Sequence, residues 1–225
     1  MKDLEILYSD NHLLVVNKPA CLPVVPDDSG DESLLDQGKA WIKREFGKPG
    51  AVFLGVVHRL DRPVSGVVVF ARTSKAADRL SAQFRERTAN KTYWGIVEGQ
   101  PSSTHGEIQQ YLWKDGTRNR VQVVNEDREG ARLAHTSYRV VRMQAGRTLL
   151  ELSPHTGRSH QLRLACKTLG TPLCGDLKYG AEAALSDRSI ALHARQLEVD
   201  HPTKKETFVW KANVPTLDIW RAAKA

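Results

Sequence analysis

The chain has 225 residues, 40% of them apolar, and a formal charge of +7, which supports one large core or two small ones and excludes disorder as the default. Cys21, Cys166 and Cys174 form no C-x-x-C pair, which argues against a disulfide framework or a thiolate zinc site and fits a reducing compartment. Met1-Lys2-Asp3-Leu4-Glu5 has no signal-peptide pattern and no apolar run approaches the ~18 residues of a membrane span. A cytoplasmic protein with no membrane partner is therefore expected, its positive charge suited to a polyanion such as nucleic acid.

In chain order, Ile6–Tyr8 and Leu13–Asn17 read as a strand hairpin around Ser9-Asp10-Asn11, ended by Lys18-Pro19. Ser33 is placed to cap a helix running to Phe46, closed by Pro49-Gly50. Val67–Ala71 is a continuous apolar strand, and Ser74 is placed to cap a helix through Arg87 that buries Ala77, Leu80 and Phe84. Lys91–Glu98, Arg118–Val124, Arg132–Met143 and Arg147–Leu152 read as strands joined by turns at Asp115-Gly116 and Ala145-Gly146. In the helix after Thr156-Gly157, an apolar set of Leu162, Ala165, Cys166 and Leu169 lies beside a basic stripe of His160, Arg163 and Lys167, with Gly170 as the stop. The stripe suits a carboxylate, an RNA phosphate or plain solvent. No repeat or linker is visible, so the expectation is one α+β domain over residues 1–225 with a large mixed, mainly antiparallel sheet.

The segment with most chemical content is His58-Arg59-Leu60-Asp61-Arg62-Pro63-Val64-Ser65-Gly66. It sets one carboxylate between two arginines in a turn just before a strand, which makes Asp61 a candidate nucleophile or base. From spacing alone, a turn aspartate paired with Arg59 or Arg62 is the commoner role. His155 and His160 lack the one-turn spacing of a helical zinc pair, Ser65 has no nucleophile elbow, and no phosphate-binding glycine motif occurs. No metal or cofactor is expected. Tyr93, on one strand face with Gly95 and Val97, reads as a core tyrosine, as Leu192 reads as core.

Taken together, these segments resemble the RluA-like family of RNA pseudouridine synthases. The resemblance rests on Leu14–Pro19, on His58-Arg59-Leu60-Asp61 with Ser65-Gly66, on Lys91-Thr92-Tyr93, and on Gly157–Arg163. Gly175-Asp176, Tyr179-Gly180, Leu192-His193-Ala194 and His201-Pro202 follow in the same order. It implies isomerisation of specific uridines in ribosomal or transfer RNA, with Asp61 as the essential carboxylate, Tyr93 lining the pocket and able to act as base, and Arg163 pairing with Asp61. Leu192 would wall the pocket, and Arg62 would enter the space vacated by a flipped nucleotide. His58, Arg59, Arg158 and His160 would face the substrate. The resemblance also implies α+β architecture around a central RNA-binding cleft, a structured RNA loop as partner, a monomer, no cofactor, and no preceding S4-like domain. Val64 and Ala165 depart from the usual Thr and His of their motifs. Two competing readings are a non-catalytic RNA-binding module or chaperone on this fold, and a glycoside hydrolase pairing Asp61 with Glu151 or Asp176.

Overall fold

The computed structural model describes residues 4–116 and 120–223. Arg118 and Asn119 of the expected Arg118–Val124 strand, and Met1, Lys2 and Asp3, lie outside the described residues. In chain order the strands are β1 (Glu5–Ser9), β2 (Leu13–Lys18), β3 (Gly55–Val56), β4 (Ser65–Ala71), β5 (Asn90–Glu98), β6 (His105–Asp115), β7 (Arg120–Val124), β8 (Arg132–Gln144), β9 (Arg147–Pro154), β10 (Leu192–Asp200) and β11 (Thr207–Lys211). The helices are α1 (Leu34–Glu45), α2 (Ser74–Glu86) and α3 (Gln161–Thr168), with 3-10 turns at Leu177–Tyr179 and Asp218–Ala223. This is the expected α+β class. The chain divides into two compact units, Met1–Lys91 with Ala194–Pro215, and Thr92–His193 with Thr216–Ala225. Each unit draws on two separate chain segments, so no linker composition announces the division.

In the first unit the strand order is β1-β2-β4-β10, with β3 on β4 and β11 on β10. All seven residues of β4 are buried, as a continuous apolar run requires of a strand covered on both faces. Leu13, Val15, Val67 and Val69 pack against Ala76 and Leu80 of α2. On the opposite face, α1 approaches β2 so closely that a Cβ on Gly38 would stand 2.9 Å from Leu54 and 3.4 Å from Leu14. Ser33 caps α1 as expected, in a reciprocal capping box with Asp36. The cap of α2 is Thr73, whose hydroxyl accepts from the Ala76 N–H, and not Ser74, which is the first helical residue. Two adjacent hydroxyl residues offer the same cap one position apart, and helix phase selects between them.

In the second unit the order is β5-β9-β8-β6-β7, antiparallel at every junction. The β8–β9 turn is the expected Ala145-Gly146 pair, with φ of 50° and 72°, as a two-residue hairpin requires. Leu164 of α3 and Tyr179 pack with Leu112, Val121 and Ala134. The basic stripe expected along α3 does not form. Arg163 is buried with the apolar set, and only Lys167 of the three remains exposed. No helix among the described residues is long and apolar enough to cross a membrane.

Candidate active site

The Asp61 loop leaves the first unit's core and returns to it within a few residues. The Val64 N–H donates to the Asp61 carbonyl at 3.0 Å, closing a four-residue turn with Asp61 half-buried at its start. Gly66 then enters β4 with φ of 118°, where a Cβ would stand 2.3 Å from the Ala194 carbonyl oxygen. No other residue fits that approach, which explains the Ser65-Gly66 pair physically.

Two side chains hold this turn. The ammonium of Lys18, wholly inaccessible to solvent, donates to the carbonyls of Pro19 at 2.9 Å, Leu22 at 2.7 Å and Arg62 at 3.1 Å. It ties the segment after β2 to the backbone next to Asp61. Burial pushes its pKa down to about 7, against an upward pull from Cys21 and Asp61. The His58 ring stacks on Phe84, with centroids 4.6 Å apart, and its Nε2 accepts from the Val69 N–H at 3.0 Å. Desolvation, with Lys91 adding to it, pushes the pKa of His58 down to about 3. A neutral ring is what an accepting Nε2 demands. His58 thus stands as a strut between the turn, β4 and α2.

The remaining arginines of the turn reach outward. Arg59 is exposed, while the Arg62 guanidinium meets Asp27 at 3.4 Å and bonds Asp31. These carboxylates lie in the stretch between β2 and α1.

In the second unit Tyr93 is half-buried on β5, opposite Leu152 of β9. Leu192, the first residue of β10, is 3% exposed. Arg163 forms a two-pronged pair with Asp176, Nε to Oδ2 at 2.7 Å and Nη2 to Oδ1 at 2.6 Å. Both side chains are almost fully buried, and the guanidinium lies 4.8 Å from the centre of the Tyr179 ring. The Tyr179 hydroxyl in turn sits 2.5 Å from His160 Nδ1. Asp176 and Tyr179 therefore set the orientation of Arg163, with His160 fixing Tyr179 in turn. Arg158 donates through Nε to the Leu133 carbonyl at 3.1 Å.

Both candidate second carboxylates are committed elsewhere: Asp176 to Arg163, and Glu151 to Arg139 Nε at 2.7 Å. A glycosidase needs one carboxyl to hand a proton to a leaving group, and neither residue stands ready for that. Val64 and Ala165 are both buried, at 2% and 0% exposure, so the two departures fall on packing positions. Lys18, Asp176 and Tyr179 are supporting residues whose supporting role residue patterns alone do not give. The one signal for them is their place inside the ordered motifs.

The buried pair gives a direct test. Asp176→Asn leaves the Arg163 guanidinium buried opposite a neutral group, and the expected cost is about 3 kcal/mol or more. It is read from the shift in the urea unfolding midpoint at constant m. An unchanged midpoint would contradict the anchoring role.

Comparison with known proteins addresses the family and the fold. A family model described as RNA pseudouridylate synthase matches residues 12–168, a span that includes Asp61, Tyr93 and Arg163. The dual-specificity RNA pseudouridine synthase RluA of Haemophilus influenzae is 40% identical over 215 residues, covering 93% of this chain and 92% of that protein. RluA of Escherichia coli K12 is 38% identical over 211 residues, covering 93% and 92%. Among solved structures, human RNA pseudouridylate synthase domain containing 4 superimposes with a TM-score of 0.79 at 27% identity, covering 94% of this chain and 89% of that one.

Proposed function

The chain belongs to the RluA-like family of RNA pseudouridine synthases, and from that premise we propose that Asp61 is its essential carboxylate, acting on a uridine flipped out of a structured RNA loop. The activity is an isomerisation: the bond from N1 to C1′ breaks, the base turns, C5 bonds to C1′, C5 gives up its proton and N1 gains one. The balance closes without an outside reagent. A carboxylate serves because positive character develops at C1′ when N1 departs, and an oxygen anion stabilises or traps it. Tyr93 lines the pocket and serves as the base at C5. Leu192 supplies an apolar wall, and Arg163, held in place by Asp176, serves to keep the reacting carboxylate ionised.

The observation that carries this reading is the anchoring of the Asp61 turn. A carboxylate that must meet an anomeric carbon gains from being held before substrate arrives, and Lys18 bonds the carbonyl of the very next residue. The near full-length similarity to relatives named as dual-specificity enzymes supports a structured loop in ribosomal RNA, transfer RNA or both as substrate. We place the chain in the cytoplasm as a monomer, with Arg59 and Arg158 facing the RNA backbone. Purified protein should release tritium from cellular RNA labelled at uridine C5. Binding without release on any cellular RNA would instead favour a non-catalytic module.

Arg62 provides a second test. Its guanidinium is engaged by Asp27 and Asp31, and it reaches RNA by exchanging those carboxylates for base edges and phosphates. Extruding a nucleotide from a folded loop costs a few kcal/mol, and less from an unstructured strand. Arg62→Ala should therefore lower turnover on folded RNA about tenfold more than on a short unstructured oligonucleotide. Equal losses on the two substrates would contradict a flipping role.

A further inference from the structure

Three residues far apart in sequence converge on one face of the second unit. Glu107 comes from β6, His135 from β8, and His155 directly follows β9. One ligand atom of each lies within 4.8 Å of the others. His135 Nε2 is 3.1 Å from Glu107 Oε2, and the two imidazoles lie with centroids 4.4 Å apart and planes tilted by 33°. We propose that Glu107, His135 and His155 form a binding site for a divalent transition metal of the zinc class, separate from the residues assigned to pseudouridine formation.

The donor chemistry fits that class: two imidazoles and one carboxylate are a common zinc set that leaves a fourth position open. Two ligands of a tetrahedral zinc with bonds of ~2.0–2.1 Å stand about 3.3 Å apart, so the Glu107–His135 separation is already close to that of neighbouring ligands. The backbone beneath the cluster is fixed in place. The His155 N–H donates to the His135 carbonyl at 2.9 Å, and the His135 N–H donates to Thr156 Oγ1 at 3.0 Å. Gln161 Nε2 bonds the same His135 carbonyl at 2.9 Å. Ser137 Oγ lies 2.6 Å from His155 Nε2 and orients that ring, the part that outer partners play at metal sites. Little of the chain has to be ordered to seat an ion, which favours binding by a site this small. Glu107 is 60% exposed at its side chain, so an ion has direct access from solvent. The ion would clip β6 and β8 to the segment that leads through Arg158 into α3.

The alternative is that Glu107 and His135 are only a hydrogen-bonded pair with His155 stacked beside it. Titration of the full chain, stripped with chelator, distinguishes the two. Zinc should bind with a stoichiometry of one per chain, and cobalt should give the visible absorption of a low-coordinate site. H135A and H155A should each weaken zinc binding by more than tenfold, since even outer-partner losses cost about 10–100-fold. Zinc should raise the melting midpoint of the wild-type chain and leave that of the E107Q/H135A/H155A variant unchanged. These variants alter exposed or half-exposed side chains, and tritium release from RNA reports separately that they remain folded and active. Absence of zinc heat and cobalt absorption at micromolar metal, or equal binding by the triple variant, would overturn the site.

Discussion

Asp61→Asn is expected to abolish tritium release, by a factor of about 10³ or more, while the affinity for RNA changes by no more than a few fold. The amide is nearly isosteric, so the turn closed by the Asp61 carbonyl and the Val64 N–H survives, as do the bonds of Lys18 to the backbone. What is lost is the anionic oxygen able to meet positive character at C1′. That interaction belongs to the transition state and contributes little to ground-state binding, so its loss falls on turnover and not on binding. On a chain carrying +7, RNA affinity is expected to come from many phosphate contacts and to fall with salt concentration. The measurement pairs single-turnover tritium release with filter binding at fixed ionic strength. Full release by the variant would remove Asp61 from the mechanism. Loss of binding along with release would make it an RNA contact. Release of free uracil by the wild type would return the chain to the hydrolase class, although Asp176 and Glu151, the carboxylates that class would need, are both ion-paired.

What the residues disclose in advance depends on how local the physics is. The β4 run, the first hairpin, the Ser33 cap and the Ala145-Gly146 turn each rest on neighbours in the chain, and each is found where pattern places it. Strand β6 escapes pattern because Gln110 occupies an inward position between Ile108 and Leu112, where its side chain accepts from Thr168 Oγ1 at 2.8 Å. Strand β10 escapes because His193, with no exposure and its ring edge-on to Trp220, breaks the apolar alternation. Both buried polar residues rely on partners remote in sequence, which periodicity cannot supply. The same limit governs the site. Asp61 stands out by its turn and flanking arginines, and Arg163 by its place on a helix. That Asp176 would take two nitrogens of Arg163, turning a supposed basic stripe into a buried ion pair, depends on a contact 13 residues away across a loop.

Lys18→Met should both destabilise the protein and flatten its pH dependence, because one buried ammonium does two things. Its three carbonyl bonds hold the segment after β2 against the Asp61 turn, and methionine fills the volume without donating. Net losses of about 1 kcal/mol per hydrogen bond suggest a cost of roughly 3 kcal/mol below about pH 7, where the group carries all three of its protons. The sign of the pH effect follows from burial. Lys18 titrates near 7 when folded against 10.5 as an ordinary lysine, so between those values the unfolded chain binds the extra proton. Stability contributed by this site therefore rises as pH increases from about 7 toward 10.5, with a slope of up to about 1.4 kcal/mol per unit. Below pH 7 both states are protonated and the slope vanishes. Urea unfolding of wild type and Lys18→Met at a series of pH values isolates the effect, because other titrating groups are common to both chains. The stability difference between them should widen in favour of the wild type from pH 7 upward, and turnover on RNA should fall with the variant at every pH as the Asp61 turn loosens. Parallel stability curves across that window would mean that Lys18 keeps an ordinary proton affinity in the folded chain.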